Sequence, residues 1–352
     1  MKVAIIGVGR MGRLHASNLA RLPEVDEVLV SDADPQMTRA VAAEIGGRAC
    51  EGPDETIELA DAVAIASTTP THASLIEAAV AAGRPIFVEK PLAFTLEESI
   101  AVAELVEKTG ATLQLGFQRR FDVAYREARR RVERGELGTV YLVRLIAHDD
   151  TPPPDAYIAT SGGLFRDSSV HDFDAIRFVT GSEVAQVVAV GAVRVSDVFA
   201  KHDDVDTAGA ILTMADGTLG VLSQTRHNPL GYDIRMEVVG SRDAVSVGVG
   251  PRTPSRSLEP GASDVTDGWE GFLTRFADAY RAEIEGFIEM ARGRAPVTCT
   301  ARDGLEAMRV AVAATRSVRE GRSVELSEIP GGRPAIQAAG DPGGRRPWRP
   351  AI

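Results

Sequence analysis

Three residues in two segments have the types and spacing that oxidation of an alcohol requires. Lys90 lies in Glu89-Lys90-Pro91, directly after the apolar run Ile-Phe-Val, while Asp167 and His171 follow a Gly-Gly pair. A helix would place Asp167 and His171, four residues apart, on one face. Histidine suits the task of accepting the hydroxyl proton near neutral pH. A lysine can stabilise the developing alkoxide, and an aspartate can orient the ring by accepting its hydroxyl protons.

Each of these residues also has an ordinary structural interpretation. A lysine after a strand is usually a surface residue, and a single histidine in a helix is usually structural. Asp167 could be a first-turn acid that faces the helix dipole. Taken one at a time, all three favour the structural interpretation, so the functional one depends on their joint occurrence with other motifs.

A glycine-rich motif begins close to the N-terminus. It reads Gly7-Val8-Gly9-Arg10-Met11-Gly12 and lies between an apolar strand and a helical pattern, the context that dinucleotide binding requires. Gly7 allows the tight turn, Gly9 lets the backbone approach a pyrophosphate, and Gly12 lets the helix pack closely on the strand. The first helical residues, Arg10 and Met11, would present N–H groups to the anion. A glycine-rich turn without a ligand is the alternative.

An acidic residue follows the second predicted strand. Asp32 stands 20 residues after Gly12, where a carboxylate can accept hydrogen bonds from the adenosine ribose. Its charge would repel a 2′-phosphate, and no arginine follows immediately, so the sequence predicts NAD rather than NADP. Alternatively, Asp32 caps the helix that begins at Pro35, although Asp34 is better placed to do so.

The segment Ser-Thr-Thr-Pro-Thr-His follows the fourth strand, at the carboxyl edge where open α/β sheets bind ligands. Pro70 cannot continue a strand, so the chain must turn there. Two interpretations are equally open. The segment contacts the cofactor through Thr68, Thr69, Pro70 and His72, or it forms a simple proline turn with Thr71 as a helix cap. Lys90 follows a strand at the same edge.

The elements that hold these residues alternate up to about residue 120. Strands are predicted at 3–6, 27–30, 62–66, 86–88 and 112–115, and helices at 11–21, 35–44, 72–82 and 96–108. Apolar strands alternating with helices predict an α/β fold with a doubly wound parallel sheet. The sequence thus predicts a Rossmann domain over 1–120.

The pattern changes after residue 120. Helices are predicted at 124–134, near 167–180, at about 271–291 and at 303–319, with a strand at 140–146. Four or five longer strands between 184 and 249, separated by turn signals, predict a large, mainly antiparallel sheet. An α+β substrate-binding and oligomerisation domain is therefore predicted over 121–330. The Gly/Pro/Arg-rich end, 331–352, is predicted to be a flexible tail.

Composition argues against several classes of protein. The 352 residues are 44% hydrophobic and 25% charged, with a formal net charge of -11. An acidic chain is poorly suited to nucleic acid or anionic membranes. Glutamates are interspersed in the arginine cluster formed by Arg126, Arg134 and residues 129–131, which favours a solvated helix face. We find no signal peptide, no run of 18 apolar residues and only two cysteines, which together predict a cytoplasmic protein.

The glycine-rich start, the Glu-Lys-Pro segment and the Gly-Gly…Asp-x₃-His-Asp…Asp run together resemble the Gfo/Idh/MocA family of oxidoreductases, over nearly the whole chain except the tail. Three segments are most similar to its inositol 2-dehydrogenase branch: GFQRRFD, PPPDAYI and SGGLFRDSSVHDFDAIRF. The resemblance implies that Lys90, Asp167 and His171 form the catalytic set, with His171 as acid and base. It also implies nicotinamide placement by Thr68–His72 and Glu89–Pro91. Family members commonly form dimers and tetramers through the second sheet, and the helix at 303–319 is expected to return to the first domain.

The chain departs from this branch near the expected ring site. His148-Asp149-Asp150 stands where the branch more often has arginine or asparagine, and Ser168-Ser169 replaces bulkier apolar residues. These departures make a ring related to myo-inositol a credible substrate. The predicted substrate contacts are polar residues near strand ends or in loops: Lys90, Arg120, His148, Asp149, Tyr157, Asp167, His171, His227 and Tyr232.

The predicted function is NAD-dependent oxidation of a secondary alcohol on a cyclic polyol, an inositol in the first place, to the ketone. A pyranoside or anhydrosugar dehydrogenase is the nearest alternative, and a non-catalytic NAD or sugar sensor is another. A sensor would have no need to retain Lys90, Asp167 and His171. His171-Asp172-Phe173-Asp174 offers ligand types for a metal, but no metal-binding motif accompanies it, so no metal is predicted.

Overall fold

The computed structural model describes residues 1–261 and 267–332. The predicted flexible tail lies outside these residues, apart from Gly331 and Gly332. Among the residues described, no helix is both long enough and apolar enough to cross a membrane. The described chain forms two β-sheets flanked by helices.

The first sheet has six strands in the order β3-β2-β1-β4-β5-β6, and all of its pairs are parallel. The elements of this half are β1 Lys2–Ile6, α1 Arg10–Leu19, β2 Glu27–Ser31, α2 Pro35–Ile45, β3 Arg48–Ala49, α3 Pro53–Leu59, β4 Ala62–Ile65, α4 His72–Ala81, β5 Ile86–Glu89, α5 Leu96–Thr109 and β6 Leu113–Gly116. The predicted doubly wound Rossmann sheet is confirmed. The sequence did not reveal the short β3 and α3, because neither carries a long periodic pattern.

Local chemistry determines where the helices begin and end. The Asp34 carboxylate accepts a hydrogen bond from the Gln36 amide at the start of α2, so Asp34 is the cap of that helix. Thr95 and Glu98 form a reciprocal capping box at the start of α5, which ends at Gly110 with a φ of 68°. These caps satisfy N–H groups that have no partner inside the helix.

The second sheet has seven strands in the order β12-β11-β7-β10-β9-β8-β13. The remaining elements are α6 Val123–Glu133, β7 Val140–His148, α7 Asp155–Ile158, α8 Val170–Thr180, β8 Val184–Ala192, α9 Val198–Lys201, β9 Thr207–Met214, β10 Leu219–Thr225, β11 Asp233–Gly240, β12 Ala244–Val247, α10 Phe272–Arg275, α11 Ala277–Ala291, α12 Ala301–Glu320 and β13 Val324–Glu325. Its pairs are antiparallel except for β7 and β10, which run parallel. Residues along β9 and β10 alternate in burial, so one face of this sheet packs on helices and the other faces outward.

Two helices differ from the sequence prediction. The helix expected near 167–180 begins with a π-helical turn, Phe165–Ser169, and continues as α8. The helix expected at 271–291 is interrupted at Phe276, whose φ of -113° and ψ of 19° are not helical. Hydrophobic periodicity does not distinguish a single wide turn or a one-residue break from a continuous helix.

The long helix α12 packs on both sheets. A side chain on Gly304 would place its Cβ 2.5 Å from Leu115 Cδ2 of β6, so this helix lies close against the first sheet. On the second sheet, Ser317 of α12 accepts a hydrogen bond from the Ala189 amide of β8. Because one helix contacts both sheets, the domain boundaries at residues 120 and 330 stay predictions.

Candidate active site

The glycine-rich loop joins β1 to α1, and its three glycines have different surroundings. Gly7 has a φ of +87°, and a Cβ there would lie 2.3 Å from Ser67 Cα. A Cβ on Gly12 would lie 1.9 Å from the Gly7 carbonyl oxygen. A Cβ on Gly9 would meet no protein atom within 4 Å. Gly7 and Gly12 are therefore required by the fold, whereas Gly9 faces open space beside the first turn of α1.

This loop fits the pyrophosphate of a dinucleotide. The N-cap residue Gly9 has no side chain, and the first turn of α1, which includes Arg10 and Met11, contains no acidic residue. The N–H groups of that turn can therefore approach an anion, and the helix dipole favours negative charge there. The Arg10 guanidinium lies 4.7 Å from the centre of the Phe272 ring, so its side chain contacts α10.

Asp32 supports the loop from the end of β2. Its carboxylate accepts hydrogen bonds from the Val8 amide at 2.7 Å and from the Asp34 amide at 2.9 Å. Each oxygen keeps a further lone pair, so the carboxylate can still accept a ribose hydroxyl. The capping role of Asp34 leaves Asp32 available for this second task.

The Ser67–His72 segment lies at the same edge of the first sheet. Thr68 and Pro70 are exposed and Thr69 is half-buried, whereas the ring of His72 is buried. Its Nδ1 lies 2.9 Å from the Pro91 carbonyl oxygen and its Nε2 lies 3.2 Å from the Ser67 carbonyl oxygen. His72 thus connects this turn to the segment that carries Lys90. Burial lowers its pKa.

Lys90 and Asp167 are in direct contact. Lys90 Nζ donates to the main-chain oxygen of Asp167 at 2.7 Å and to its Oδ1 at 3.2 Å. Burial lowers the pKa of Lys90, but the charge of Asp167 and the smaller effects of Tyr157 and Glu89 outweigh it, so the pKa lies above its ordinary value. The ammonium group is therefore protonated throughout the neutral range.

The buried Asp167 carboxylate is the centre of a polar cluster that includes the exposed Tyr157 and the half-buried Lys90 and Asp149. Tyr157 Oη donates to Oδ1 at 2.7 Å, and Arg226 Nη2 donates to Oδ2 at 2.8 Å. Arg226 Nη1 also donates to Asp149 Oδ2 at 3.1 Å. Burial alone would raise the pKa of Asp167, but Lys90, Arg226 and the Tyr157 hydroxyl hold it well below its ordinary value. We call Lys90, Asp149, Tyr157, Asp167 and Arg226 the Asp167 cluster.

His171 lies one helical turn beyond Asp167, at the start of α8. Its ring packs edge-on against Phe117, with 5.5 Å between ring centroids. Burial lowers its pKa first, the charges of Lys90 and Arg119 lower it further, and Asp167 opposes them. The result lies well below the ordinary histidine value of 6.5. The imidazole is therefore neutral at pH 7 and able to accept a proton.

Arg119, which the sequence did not single out, is the arginine that acts on His171. Its Nη1 donates to Asp172 Oδ1 at 2.6 Å, and both side chains are buried. Arg120, the predicted substrate contact, is directed elsewhere. Its guanidinium donates to both oxygens of Asp174 and to the Thr298 carbonyl oxygen, so the prediction for Arg120 is not supported.

Of the other predicted substrate residues, two lie in the Asp167 cluster and three lie outside it. Tyr157 and Asp149 belong to the Asp167 cluster. His148 lies on the outer face of β7, where its Nε2 is 2.9 Å from Ser223 Oγ. His227 is exposed, with Nδ1 2.9 Å from the Asp150 carbonyl oxygen. Tyr232 is buried, and burial raises its pKa.

The two serines between Asp167 and His171 contact β10. Ser169 Oγ donates to Gln224 Oε1 at 3.1 Å, and Gln224 Nε2 donates to Ser168 Oγ at 2.7 Å. These serines therefore join the π-helical turn to the second sheet through a polar side chain. Bulkier apolar residues would not make these hydrogen bonds.

Arg226 was also missed, and the reason lies in the topology of the second sheet. In the parallel pair of β7 and β10, Thr225 is opposite His148, so the next residues, Arg226 and Asp149, emerge side by side. An antiparallel arrangement, as the sequence predicted for most of this sheet, would not bring these two strand ends together. The sequence signal that could have identified Arg226 is its position directly after a strand.

Comparison with known proteins gives consistent results over both halves of the chain. The model described as "Oxidoreductase family, NAD-binding Rossmann fold" matches residues 1–117, and that of the "GFO/IDH/MocA C-terminal domain" matches residues 125–246. The myo-inositol dehydrogenase Hyg17 of Streptomyces leeuwenhoekii is 40% identical over 332 residues, which are 91% of this chain and 98% of that protein.

Solved structures agree with these matches. A probable dehydrogenase from Thermotoga maritima superposes with a TM-score of 0.88 at 34% identity, covering 94% of this chain and 100% of that one. The scyllo-inositol dehydrogenase of Lactobacillus casei, solved with bound NAD(H) and scyllo-inositol, superposes with a TM-score of 0.83 at 29% identity, covering 93% and 99%.

The different surroundings of Gly9 and Gly12 lead to a paired prediction. We expect Gly9→Ala to unfold at the wild-type temperature but to bind NAD at least about tenfold more weakly, a loss of about 1.4 kcal/mol, because the methyl group occupies the approach to the pyrophosphate. Gly12→Ala should lower the unfolding temperature, because its Cβ meets backbone. Thermal unfolding and NAD titration measure the two effects, and wild-type affinity in Gly9→Ala would contradict the assignment of the loop.

The contacts of Arg226 predict a large effect on stability. Arg226→Met removes the buried guanidinium that pairs with Asp149 and with Asp167, while Asp167 keeps Lys90 and Tyr157 as donors. We therefore expect a loss of about 3 kcal/mol in the free energy of unfolding, the lower end of the range for breaking a buried ion pair. The matched control is Arg144→Met, which breaks the exposed Arg144–Glu237 pair between neighbouring strands and should cost less than about 1 kcal/mol. Urea denaturation compares the two variants, and equal losses would show that the Asp167 cluster is not held by Arg226.

Proposed function

The chain belongs to the Gfo/Idh/MocA family of oxidoreductases, as the sequence indicated, and we propose that it is an NAD-dependent dehydrogenase that oxidises a ring hydroxyl of an inositol to the ketone. The observation that carries this proposal is the contact of Lys90 with Asp167 beside a neutral His171. These groups lie at the carboxyl edge of a sheet whose glycine-rich loop fits a dinucleotide.

NAD is the cofactor that fits this chain. The Gly9 backbone and the first turn of α1 would hold its pyrophosphate, and Asp32 would accept the ribose hydroxyls, which disfavours a 2′-phosphate. When bound, NAD accepts the hydride from the alcohol carbon. Thr68, Thr69 and Pro70 border the same edge and are proposed to contact the nicotinamide half. Glu89 and His72 are buried and would act through the backbone segments that they hold.

The protein groups carry out the proton chemistry. His171 is neutral, so it accepts the proton of the reacting hydroxyl as the alcohol is oxidised. Lys90 is positively charged, so it stabilises the oxygen while that proton leaves. Asp167 holds the lysine and presents further acceptor capacity to a ring hydroxyl. Loss of the hydride and of the proton converts the secondary alcohol to a ketone.

A polyhydroxylated ring suits the chemistry of the Asp167 cluster. The cluster offers an ammonium and a guanidinium that donate hydrogen bonds, two carboxylates that accept them, and a phenol that can do both. Together these groups can bind vicinal hydroxyls, which are both donors and acceptors. Hyg17 is named a myo-inositol dehydrogenase, and the Lactobacillus casei enzyme was solved with scyllo-inositol.

Assembly and location complete the proposal. Apolar side chains on the outer face of the second sheet are exposed, namely Val188, Val190, Ile211, Leu219 and Val221. Such a patch suits a contact between copies of the chain, so we propose a homo-oligomer, a dimer or a tetramer. A cytoplasmic location, which the sequence suggested, belongs to the same proposal and agrees with two buried free cysteines.

The direct test is NADH formation by the purified protein on myo-, scyllo- and chiro-inositol, glucose, glucosides and levoglucosan. We expect the highest kcat/KM on an inositol. His171→Ala should lower turnover on that substrate by about 10²–10⁴-fold, because it removes the base, while NAD binding persists. The comparison should be made near pH 7, where the His171 imidazole is neutral and able to accept the proton.

Other outcomes would change the proposal in defined ways. Preferential turnover of glucose, a glucoside or levoglucosan would assign the enzyme to sugars while keeping the roles of Lys90 and His171. No turnover of any compound, with NAD binding intact, would indicate a sensor. Near-normal turnover by His171→Ala would remove this residue from the mechanism.

A further inference from the structure

Three ionisable side chains meet in a buried space behind Lys90. His15 lies on α1, Glu89 at the end of β5 and Glu283 on α11, and one ligand-type atom from each lies within 4.8 Å of the others. His15 and Glu283 are fully buried and Glu89 is 8% exposed. We call these three residues the His15 cluster. None of them has a part in the proton chemistry described above.

The hydrogen bonds of the cluster are unevenly distributed. Glu89 uses both carboxylate oxygens: Oε1 lies 2.6 Å from His15 Nε2, and the Lys90 amide donates to Oε2 at 3.1 Å. Among the residues described, neither carboxylate oxygen of Glu283 has a hydrogen-bond partner. His15 Nδ1 also lacks one there. Glu283 therefore faces the cluster without a group that would stabilise its charge.

Among the residues described, no lysine or arginine pairs with Glu283. Its recorded neighbours are His15 from α1, Glu89 from β5, Gln114 from β6 and Tyr280 from its own helix, and Gln114 Nε2 donates to the main-chain oxygen of Glu283. Burial raises the pKa of Glu283, and the negative charge of Glu89 raises it further. An isolated buried charge is costly, and a carboxyl group in this position takes up a proton instead.

A bound metal ion would be the other way to neutralise two carboxylates. A histidine that binds a metal almost always donates from its second ring nitrogen to a carbonyl or a carboxylate, and His15 Nδ1 has no such partner among the residues described. His15 Nε2 is also already within hydrogen-bonding distance of Glu89. Both observations favour a proton over a metal.

We infer that Glu283 is protonated in the folded protein, which leaves Glu89 free to bridge His15 and the Lys90 amide, and that His15 and Glu89 are positioning residues for Lys90. A second carboxylate would compete with Glu89 for the proton on His15 Nε2. With Glu283 neutral, Glu89 is held by one side-chain and one backbone donor. The backbone of Lys90 is then fixed directly before its side chain reaches Asp167. The positioning role rests on the proposed function, whereas the proton on Glu283 does not.

The protonated state has a signature in the pH dependence of stability. In the unfolded chain Glu283 loses its proton near its ordinary pKa of 4.5, whereas the folded protein keeps it to a higher pH. Between these two values the folded state binds more protons, so this group makes the protein less stable as the pH rises, by up to about tenfold in the folding equilibrium per pH unit. A glutamine, which is neutral and nearly isosteric, would not show this decline.

The test compares Glu283→Gln with wild type in urea denaturation from pH 5 to pH 8. We expect the variant to gain stability relative to wild type as the pH rises. Glu285→Gln, on the exposed side of the same helix, is the matched control and should show no such trend. A pH-independent difference for Glu283→Gln would overturn the inference. Elemental analysis of the purified protein that finds a stoichiometric metal, lost in Glu283→Gln, would overturn it in favour of a metal site.

The positioning role is tested with Glu89→Gln. A glutamine has one acceptor oxygen for two donors, so we expect kcat to fall about tenfold or more while the Kd for NAD, measured without turnover, stays within about twofold. A weakened NAD affinity with kcat unchanged would overturn the positioning role and make Glu89 a cofactor contact. Failure of the proposed function would leave the denaturation experiment intact, because it needs no substrate.

Discussion

The ionised carboxylate of Asp167 is the constraint on which the candidate active site depends. It accepts hydrogen bonds from Lys90 after β5, from Tyr157 in α7 and from Arg226 after β10. These donors come from three separate stretches of chain and from both sheets. A buried carboxylate with fewer donors would take up a proton and lose its hold on the lysine. The positions of these donors therefore determine both the geometry of the site and the charge of Asp167.

Burial and neighbouring charges together determine the state of His171. Burial lowers its pKa most, and Lys90 and Arg119 lower it further, while the charges of these two residues are balanced by Asp167 and Asp172. His171 is therefore kept neutral by two cations that each have a carboxylate partner. Tuning a catalytic group by neighbouring charges and burial is a common property of active sites. Here the lysine that stabilises the substrate oxygen also keeps the histidine ready to accept its proton.

The sequence predicted the features that depend on local chemistry. The positions of Gly7, Gly9 and Gly12, the cap at Asp34 and the doubly wound parallel character of the first sheet follow from short motifs and periodicity. The contact of Lys90 with Asp167 could be expected only from the resemblance, since 77 residues separate them. Arg226 was missed because its place beside Asp149 depends on the parallel pairing of β7 and β10, which no local pattern specifies.

The different partners of Arg119 and Arg120 show a second limit. The two arginines are adjacent in a 3₁₀ turn, and the direction of each side chain is set by Asp172 and Asp174 on α8. Such pairings depend on tertiary packing, so residue type alone cannot assign them. The π-helical turn before α8 was missed because periodicity does not distinguish a single wide turn from a continuous helix.

The most direct measurement is the NMR titration of the His171 ring in the cofactor-free protein. The chain has six histidines, and the His171→Ala spectrum identifies the resonance by its absence. The account predicts that the ring remains neutral from pH 8 down through pH 6.5, because burial, Lys90 and Arg119 together lower its pKa well below that value. Titration at or above pH 6.5 would contradict the account, because His171 would then be largely charged where it must accept a proton.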